Sequence, residues 1–324
     1  MASEPLSAFA ALGDREERVD VTALVPVWNE AENLDPLLTK LTADLRALGR
    51  TYEILVVDDG SSDGTLDALR RLKASIPHLR AISFRRNYGK SAALSVGFRE
   101  SRGRFIVTMD GDLQDDSAEI GSLLGKIDEG YDLVSGWKQE RKDPITKTVP
   151  SRLFNAVTSS MTGVRLHDMN CGLKAYRSEV ARSVILRGEL HRFIPVLAHW
   201  GGYRVGEIPT VHHPRLHGRT KFGASRFVNG FLDLLTVMFL TTSAHRPLHL
   251  FGRVGILFAL LGAAILVWFT WPWLFGQGLR LRPALLFGAV LMILGFQFLS
   301  MGFLGELIAG LNDRGGDYSI RERF

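Results

Sequence analysis

The sequence has a single cysteine, Cys171, among 324 residues. A lone cysteine excludes an internal disulfide and any zinc site built from several cysteines. Excess charge of one sign is also small, because 39 Lys and Arg against 34 Asp and Glu leave a net charge of +5. Nucleic-acid binding needs concentrated positive charge, so we expect no nucleic-acid partner. With 46% hydrophobic and 23% charged residues, the composition is that of a folded protein and excludes a disordered chain.

Charged residues are absent from two long stretches near the C-terminal end. Residues 254–279 are 26 residues without a charge, and residues 283–305 are 23. A helix of about 20 apolar residues crosses a bilayer core, and helices of soluble proteins normally keep a charged face. We therefore predict two transmembrane helices, the first kinked or ended near Trp271, Pro272 and Trp273. The alternative is a buried hairpin in a large soluble core.

Basic residues are concentrated outside this predicted hairpin, and only Arg280 and Arg282 lie between its two spans. The outer basic residues are Arg204, Arg215, Arg219, Lys221, Arg226, Arg246 and Arg253 before the first span, and Arg314, Arg321 and Arg323 after the second. Cytoplasmic flanks carry such an excess, and the first 20 residues lack the apolar core of a secretory signal peptide. We predict a multi-pass protein of the inner (cytoplasmic) membrane, with the large N-terminal domain and both termini cytoplasmic.

The stretch before the first span has apolar residues at helical spacing, among them Phe227, Phe231 and Met238. This pattern favours a helix lying in the membrane interface, and a core helix of the soluble domain is the alternative. The predicted parts of the chain are a flexible tail over residues 1–18, an α/β domain over 19–222, juxtamembrane amphipathic helices over 223–248, a two-helix transmembrane hairpin over 249–311 and a cytoplasmic C-terminal tail over 312–324.

Short apolar runs alternate with helical patterns from residue 21 onward. The predicted strands are residues 21–27, 52–57, 79–84 and 105–109, and the predicted helices are residues 35–48, 64–75 and 90–101. This alternation is typical of βαβ units and a mostly parallel sheet flanked by helices. Ligands of such sheets bind beyond the carboxyl ends of the strands. The residues that follow each strand are therefore the candidates for a functional site.

Asp110 and Asp112 follow one of these strands with one residue between them. No Gly-x-Gly-x-x-Gly follows the first strand and no Walker lysine loop is present, which argues against a dinucleotide dehydrogenase and a P-loop NTPase. The two carboxylates suit one hard cation, Mg²⁺ or Mn²⁺, that keeps sites open for diphosphate oxygens, and Gln114 can add a neutral oxygen. An Asp-x-Asp motif is also common in surface turns, but its position after a strand favours metal binding.

Three motifs in this order resemble the signature of family 2 glycosyltransferases with the Rossmann-like GT-A fold. They are Pro26-Val27-Trp28-Asn29-Glu30, residues 58–65, and Asp110-Gly111-Asp112-Leu113-Gln114. The similarity continues through residues 168–177 and 218–222, before the two predicted spans. The whole order, over about residues 19–310, is similar to the polyprenyl-phosphate glycosyltransferases, which include dolichol-phosphate mannose synthases and bacterial undecaprenyl-phosphate sugar transferases.

The resemblance implies an inverting, metal-dependent enzyme that moves one sugar from a nucleotide sugar, UDP favoured over GDP, to polyprenyl phosphate. It implies donor-nucleotide contacts at Pro26, Glu30, Asp58 and Asp59, to which we add Lys90 after the third strand. It implies that Asp110, Asp112 and Gln114 hold Mg²⁺ or Mn²⁺, which stabilises the charge that develops on the leaving diphosphate. It also implies a homo-oligomer such as a tetramer, and the small residues Gly252, Gly255, Gly262 and Ala263 permit close helix packing.

The acceptor side needs basic residues, because a polyprenyl monophosphate is negatively charged and is itself the nucleophile. By the resemblance, Arg152 matches the acceptor-phosphate arginine, and Lys221 matches the lysine of the family's Gly-x-Ser-Lys-Tyr motif, here with Thr220 and Phe222. Further predicted contacts of the acceptor or donor phosphate are Lys138, Arg141, Arg215 and Arg219, and contacts to solvent or lipid headgroups are the alternative for each. The family carries arginine near Lys138. The predicted catalytic residues are thus Asp110, Asp112, Arg152 and Lys221.

Two other functions remain open from the sequence. One is a different membrane enzyme of family 2, either a polysaccharide synthase or a transferase with a lipid hydroxyl acceptor. The Gln-x-x-Arg-Trp motif of processive synthases is absent, and a hydroxyl acceptor would need a base, for which Asp168 is the remaining carboxylate. The other is a catalytically inactive, membrane-anchored protein that binds nucleotide sugar.

Three further residues are assigned no chemistry. Cys171 is predicted to be a packed side chain. His212 and His213 are predicted to form a wall of the site rather than to bind a metal.

Overall fold

The computed structural model describes residues 19–138, 158–159, 162–186, 188–213, 247–275, 283–311 and 320–323. The chain divides into two compact units. The first unit comprises Met1–Asp233 together with Asp317–Phe324, and the second comprises Leu234–Gly316. The first unit therefore contains residues from both sides of the second in the sequence.

A single sheet forms the centre of the first unit. Its strands in the described residues are β1 (Val19–Val27), β2 (Tyr52–Asp58), β3 (Leu79–Phe84), β4 (Gly103–Thr108), β5 (Leu133–Lys138), β6 (Lys174–Arg177), β7 (Val205–Thr210) and β8 (Ile320–Arg323). Their order across the sheet is β7-β5-β6-β4-β1-β2-β3-β8. The strands β1 to β4 run parallel, β5 pairs in parallel with β7, and β6 and β8 run antiparallel to their neighbours. The predicted mostly parallel sheet is confirmed.

Helices connect these strands. They are α1 (Ala31–Ala47), α2 (Thr65–Ser75), α3 (Lys90–Glu100), α4 (Ile120–Asp128), α5 (Ser178–Ser183) and α6 (Ile194–Trp200). The predicted ends agree within two residues except at the start of α1, which begins at Ala31 rather than at residue 35. One carboxylate explains the earlier start: Asp63 accepts hydrogen bonds from the backbone N–H of Ala31 at 3.1 Å and of Thr65 at 3.1 Å. Asp63 therefore caps the first turns of α1 and α2 together.

The hydrophobic core lies between the sheet and its helices. All seven residues of β2 are buried, as expected for a parallel strand covered on both faces. On α1, Leu34, Leu38, Leu41 and Leu45 repeat at intervals of three or four residues and are fully buried. The strand β1 has β2 on one side and β4 on the other. The chain thus changes direction across the sheet at β1, and the carboxyl ends of β1 and β4 border the crevice where such sheets bind ligands.

Two long apolar helices form the second unit, α7 (Pro247–Leu274) and α8 (Pro283–Leu311). They contain candidate membrane spans at Leu250–Trp271 and Pro283–Gly305, with mean hydropathies of 2.3 and 2.1. The first span begins earlier than the predicted residue 254 and includes the exposed Arg253, whose long side chain suits the end of a span. The helix ends at Leu274, next to the Trp271, Pro272 and Trp273 group named from the sequence.

Glycines bring α7 and α8 into close backbone contact. A Cβ atom on Gly255 would lie 2.7 Å from the carbonyl oxygen of Gly295, and one on Gly262 would lie 2.7 Å from that of Gly288. Small residues allow this approach in membrane helices. Gly255 and Gly262, two of the small residues predicted to permit close helix packing, pack the two helices of the hairpin against each other.

The C-terminal end differs from the tail predicted over residues 312–324. Residues 320–323 form β8, which pairs antiparallel with β3 and places Ser83 opposite Glu322. An edge strand exposes unpaired backbone groups, and β8 satisfies those of β3. The predicted N-terminal tail and residues 223–246 of the predicted juxtamembrane helices lie outside the described residues.

Candidate active site

The acidic motif lies in a tight loop directly after β4. Asp112 is 9% exposed, and its carboxylate accepts a hydrogen bond from the backbone N–H of Gln114 at 3.3 Å. Asp115 accepts from the backbone N–H of Asp110 at 3.2 Å. Leu113 has φ 61, a left-handed conformation that is rare for leucine. Such backbone strain is found mainly at functional sites, and here it belongs to the loop that carries Asp110 and Asp112.

Asp110 is paired with a lysine from a neighbouring helix. Lys90 is the first residue of α3, and its Nζ donates a hydrogen bond to Asp110 Oδ1. Burial alone would raise the pKa of Asp110, but the Lys90 ammonium outweighs burial, and with Lys138 and Lys174 it lowers the pKa to about 2. Asp110 is therefore ionised at neutral pH. A Cβ on Gly172 would lie 2.6 Å from Asp110 Cγ, so this carboxylate needs glycine opposite it.

Lys138 lies beside the same loop at the end of β5. Its Nζ is 4.0 Å from Asp115 Oδ1 and 3.5 Å from His212 Nε2. The backbone of His212 forms an isolated antiparallel bridge with Asp115, which holds His212 next to Lys138. Burial, together with the nearby Asp110, raises the pKa of Asp115 to about 6. The structure thus brings a predicted phosphate contact, Lys138, and a predicted wall residue, His212, next to the acidic motif.

Asp58 ties the loops after β1 and β2 together from inside. It is 1% exposed and accepts hydrogen bonds from Ser83 Oγ at 2.7 Å and from the backbone N–H of Ser61 at 3.0 Å. Ser61 Oγ in turn accepts from the backbone N–H of Asn29 at 2.8 Å, and Asn29 has φ 54. These bonds fix the backbone of the predicted nucleotide pocket.

Asp59 continues this chain of contacts toward the acidic motif. It is 4% exposed and accepts from the backbone N–H of Tyr88 at 2.7 Å and of Gly89 at 2.8 Å. Burial raises its pKa. Because Gly89 immediately precedes Lys90, Asp59 positions the start of α3 and so the lysine that pairs with Asp110. Glu30, the other acidic residue of the predicted nucleotide pocket, accepts from Asn33 Nδ2 at 2.6 Å.

A pocket opens beside these residues on the α3 side of the sheet. Its lining residues are Pro26, Lys90, Leu94, Thr108, Met109, Asp110, Asn170, Cys171, Gly172, Lys174, Tyr176, His191 and Ile194. The pocket thus joins the predicted residues Pro26, Lys90 and Asp110 to the 168–177 segment. Cys171 is 2% exposed, and burial raises its pKa to about 12, so it is a packed thiol.

His191 and Lys174 line this pocket without having been singled out from the sequence. His191 Nδ1 lies 3.0 Å from Ser91 Oγ, beside Lys90. Burial and the Lys90 charge lower the pKa of His191 to about 2, so its ring is neutral. No local signal marks His191, because it meets Ser91 across about a hundred residues of chain. Lys174 lies in a segment noted for family resemblance, but nothing local distinguishes a buried lysine there from a surface one.

The donor groups fit a hard divalent cation. Asp110 and Asp112 offer carboxylate oxygens at one strand end, and Mg²⁺ or Mn²⁺ commonly takes one or two carboxylates and fills its other positions with water and substrate phosphates. Gln114 adjoins them, and its Nε2 donates to the His213 carbonyl oxygen at 3.4 Å. In the described part of the chain, no three His, Cys, Asp or Glu side chains form a complete metal centre. The arrangement suits a cation that arrives with a diphosphate.

Five predicted phosphate-binding residues lie outside the described residues. They are Arg141, Arg152, Arg215, Arg219 and Lys221. The site described here is therefore the donor half of the predicted site, with Lys138 as the described member of the basic group.

Known proteins resemble the chain in sequence along nearly its whole length. Dodecaprenyl-phosphate galacturonate synthase from Rhizobium johnstonii is 36% identical over 320 residues, covering 96% of this chain and 95% of that protein. Undecaprenyl-phosphate 4-deoxy-4-formamido-L-arabinose transferase from Klebsiella pneumoniae is 38% identical over 309 residues, covering 94% and 91%. The match includes both apolar helices, and the chain is a membrane protein.

Solved structures share the fold at low sequence identity. A mannosyltransferase from Pyrobaculum calidifontis, solved with GDP-mannose and Mn²⁺, has a TM-score of 0.52 at 18% identity and covers 95% of this chain and 82% of its own. Glucosyl-3-phosphoglycerate synthase from Mycobacterium tuberculosis, solved with Mn²⁺ and UDP-glucose, has a TM-score of 0.53 at 18% identity, with coverages of 74% and 84%. The predicted GT-A fold is confirmed.

The model of the family described as glycosyl transferase family 2 matches residues 22–185. That range contains the loops after β1, β2 and β4, the Lys90 and Asp110 pair, and the pocket residues up to Tyr176. The family match, the fold and the full-length relatives agree, and the chain is a glycosyltransferase that belongs to glycosyl transferase family 2.

Proposed function

We propose that the protein transfers one sugar from a nucleotide sugar to polyprenyl phosphate at the cytoplasmic face of the membrane, with inversion at the anomeric carbon. One observation carries the proposal: relatives named for sugar transfer to dodecaprenyl or undecaprenyl phosphate match 96% and 94% of the chain, both units included. The donor is a UDP-sugar in preference to a GDP-sugar.

The donor half of the reaction follows from the geometry after β1, β2 and β4. Asp58 and Asp59 hold the loops that border the nucleotide pocket, and Asp110 and Asp112 hold Mg²⁺ or Mn²⁺ on the donor diphosphate. The bound cation stabilises negative charge on the leaving nucleoside diphosphate. Lys90, next to Asp110, supplies a further positive charge on the same side. This fixed set of charges lowers the barrier for departure of the diphosphate.

The acceptor half requires positioning more than proton removal. A phosphate monoester is anionic at neutral pH, so its oxygen attacks the anomeric carbon without a general base. Lys138, Arg141, Arg152, Arg215, Arg219 and Lys221 are the proposed contacts of the acceptor or donor phosphate. In this proposal Lys138, whose Nζ lies 4.0 Å from Asp115 in the loop that also carries Asp110 and Asp112, holds a phosphate oxygen near the reacting carbon.

Transfer assays with purified full-length protein in detergent test this function. Radiolabelled UDP- and GDP-sugars are offered with undecaprenyl phosphate and Mg²⁺ or Mn²⁺, with EDTA and with undecaprenol as controls. We expect an acid-labile lipid product from undecaprenyl phosphate that EDTA abolishes. Product from undecaprenol instead would assign a hydroxyl acceptor, and bound nucleotide without any lipid product would overturn the proposed acceptor.

The sheet supports a multi-pass topology with the catalytic domain and both termini cytoplasmic. β7 precedes the two apolar helices and β8 follows them, and both are strands of one sheet. A sheet lies on one side of a membrane, which favours a hairpin that enters and leaves on that side. The excess of basic residues outside the hairpin favours the cytoplasmic side.

Cysteine labelling tests this orientation. Cys171 gives little background because it is buried and its thiol is protonated. In intact spheroplasts, a membrane-impermeant maleimide should label Gln277→Cys, between the spans, and should label Phe324→Cys only after lysis. The reverse pattern would invert the topology.

A homo-oligomer, such as a tetramer, remains part of the proposal on the family resemblance. The hairpin glycines lend it no support, since they face each other within one chain. Light scattering of the detergent-solubilised protein, with the detergent mass subtracted, measures the subunit number. A monomer would remove this part of the proposal and leave the enzymatic part intact.

A further inference from the structure

Lys174 is a buried lysine in the wall of the pocket. It is 4% exposed and pairs on β6 with Thr108 of β4, two residues before Asp110. Its side chain lines the same pocket as Lys90 and Asp110. A lysine is almost never buried this completely unless it is paired, so its contacts decide what it does.

The contacts of Lys174 leave its charge uncompensated at short range. Its Nζ donates to the backbone carbonyl oxygen of Cys171, which is neutral. In the described part of the chain this is its hydrogen-bond partner, and no carboxylate oxygen lies within 4.0 Å of it. An ammonium has three donors. Asp110 is already bonded to Lys90, and Asp110 and Asp168 act on Lys174 only from longer range.

The rest of the pocket does not compensate the charge either. Burial lowers the pKa of Lys174, and the neighbouring Lys90 acts in the same direction. The ring of His191 is neutral, and Leu94 and Ile194 add apolar surface. A desolvated cation without a counter-charge is destabilising. An anionic oxygen that enters the pocket would remove this cost.

We propose that Lys174 binds an anionic oxygen of the substrate in this pocket. The proposal rests on the proposed function, which brings two chemical sources of such an oxygen next to Asp110. One source is a phosphate group, of the donor or of the acceptor. The other is a carboxylate on the donor sugar, as a uronic acid carries. Both give a charge-assisted hydrogen bond to the ammonium.

Binding measurements on full-length protein in detergent test the proposal. The variants are Lys174→Met, which removes the charge at similar length, Lys174→Arg, which keeps it, and Lys126→Met as a matched control on α4, where the lysine pairs with Glu129. The probes, titrated with Mn²⁺, are UDP, GDP, UDP-galactose, UDP-galacturonate and inorganic pyrophosphate, and undecaprenyl phosphate is titrated separately. Removal of a charged hydrogen-bond partner predicts a loss of affinity of about tenfold to a hundredfold in Lys174→Met.

The pattern of losses identifies the source. Equal losses for UDP and for both UDP-sugars assign a donor phosphate, a loss confined to undecaprenyl phosphate assigns the acceptor phosphate, and a loss confined to UDP-galacturonate assigns a sugar carboxylate. Lys174→Arg should restore most of the affinity, and Lys126→Met should match wild type. Unchanged affinity of Lys174→Met for every probe, or a wild-type protein that binds none of them, overturns the proposal.

Two measurements distinguish this proposal from a purely structural role of Lys174 and from failure of the proposed function. The melting temperature of Lys174→Met should equal or exceed that of wild type, because a buried cation is lost, whereas a purely structural role predicts a decrease without a change in affinity. Should Lys174→Met fail to fold, Lys174→Gln serves in its place. Lys174-dependent nucleotide binding without sugar transfer to polyprenyl phosphate would overturn the proposed acceptor and leave this inference standing.

Discussion

Lys90 and Asp110 form an ion pair at the carboxyl end of the sheet, with each partner supplied by a different βα connection. Asp110 is also proposed to hold the metal. Lys90 and the cation therefore compete for the same carboxylate. Lys90→Met should leave the partly buried Asp110 carboxylate without its partner and destabilise the metal-free protein. Added Mn²⁺, without nucleotide, should then raise the melting temperature more in Lys90→Met than in wild type. Lys126→Met is the control, and an equal or smaller rise in Lys90→Met would contradict the competition.

Asp112→Asn should remove most of the metal-dependent transfer. The substitution keeps the size of the side chain but replaces a charged oxygen ligand by a neutral amide, which hard divalent cations bind more weakly. We expect kcat/KM to fall at least about a hundredfold, with the melting temperature close to that of wild type. Asp128→Asn, which alters an exposed carboxylate paired with Arg50, should keep full activity. Near wild-type turnover by Asp112→Asn would eliminate its role as a metal ligand.

Gly172→Ala should impair activity through Asp110. Its added methyl group would lie 2.6 Å from Asp110 Cγ and 2.7 Å from Oδ2, so the carboxylate must move away from its present place. A misplacement of about 1 Å at a reacting centre can reduce the rate by about a hundredfold. Gly125→Ala is the matched control, because a Cβ there meets nothing within 4 Å. Steady-state kinetics of Gly172→Ala and Gly125→Ala measure this effect. Equal activity of the two variants would show that Asp110 tolerates the shift.

Asp63→Ala should destabilise the α/β unit, because one carboxylate caps both α1 and α2. Each lost cap costs about 1 kcal/mol. Although burial opposes it, hydrogen bonds from Thr65 and Ala31 lower the pKa of Asp63 in the folded protein. The stabilisation is therefore complete above pH ~4, the ordinary pKa of aspartate, and disappears as the pH falls through the lower folded value.

Melting temperatures of wild type and Asp63→Ala between pH 7 and pH 3 measure this dependence. The difference between the two proteins should shrink toward pH 3. Asp67→Ala in the first turn of α2 is the control, since Asp67 makes an exposed pair with Arg70 that contributes little. A difference that stays constant with pH would mean that the ionised form of Asp63 is not what stabilises the caps.

Local sequence patterns predicted the strand ends well. The spacing of apolar residues and the residues that favour turns are both set by neighbours in the sequence. Asp110 and Asp112 could be assigned to the carboxyl end of a buried strand from spacing alone, and the structure places them there. The partners of these residues could not be derived this way. Lys90 meets Asp110, and His191 meets Ser91, only through the packing of α3 against other segments. Lys174 is buried because β6 pairs with β4, which no local pattern encodes.

The C-terminal strand was unpredictable for a related reason. Residues 320–323 are a short polar segment, Ile-Arg-Glu-Arg, whose alternation is too brief to indicate a strand. Its partner β3 lies more than two hundred residues earlier in the chain. The edge of an existing sheet, rather than the sequence of the segment, determines its conformation.

The pairing of β8 with β3 also constrains when the sheet can be completed. Domains fold from the N-terminal end during synthesis, so strands β1 to β7 can assemble while the apolar helices are still being made. The edge of β3 is paired by residues 320–323, which are synthesised after both apolar helices. The hydrogen bonds between β3 and β8 therefore form only after the hairpin has been synthesised, so a chain truncated within α8 has an unpaired edge at β3.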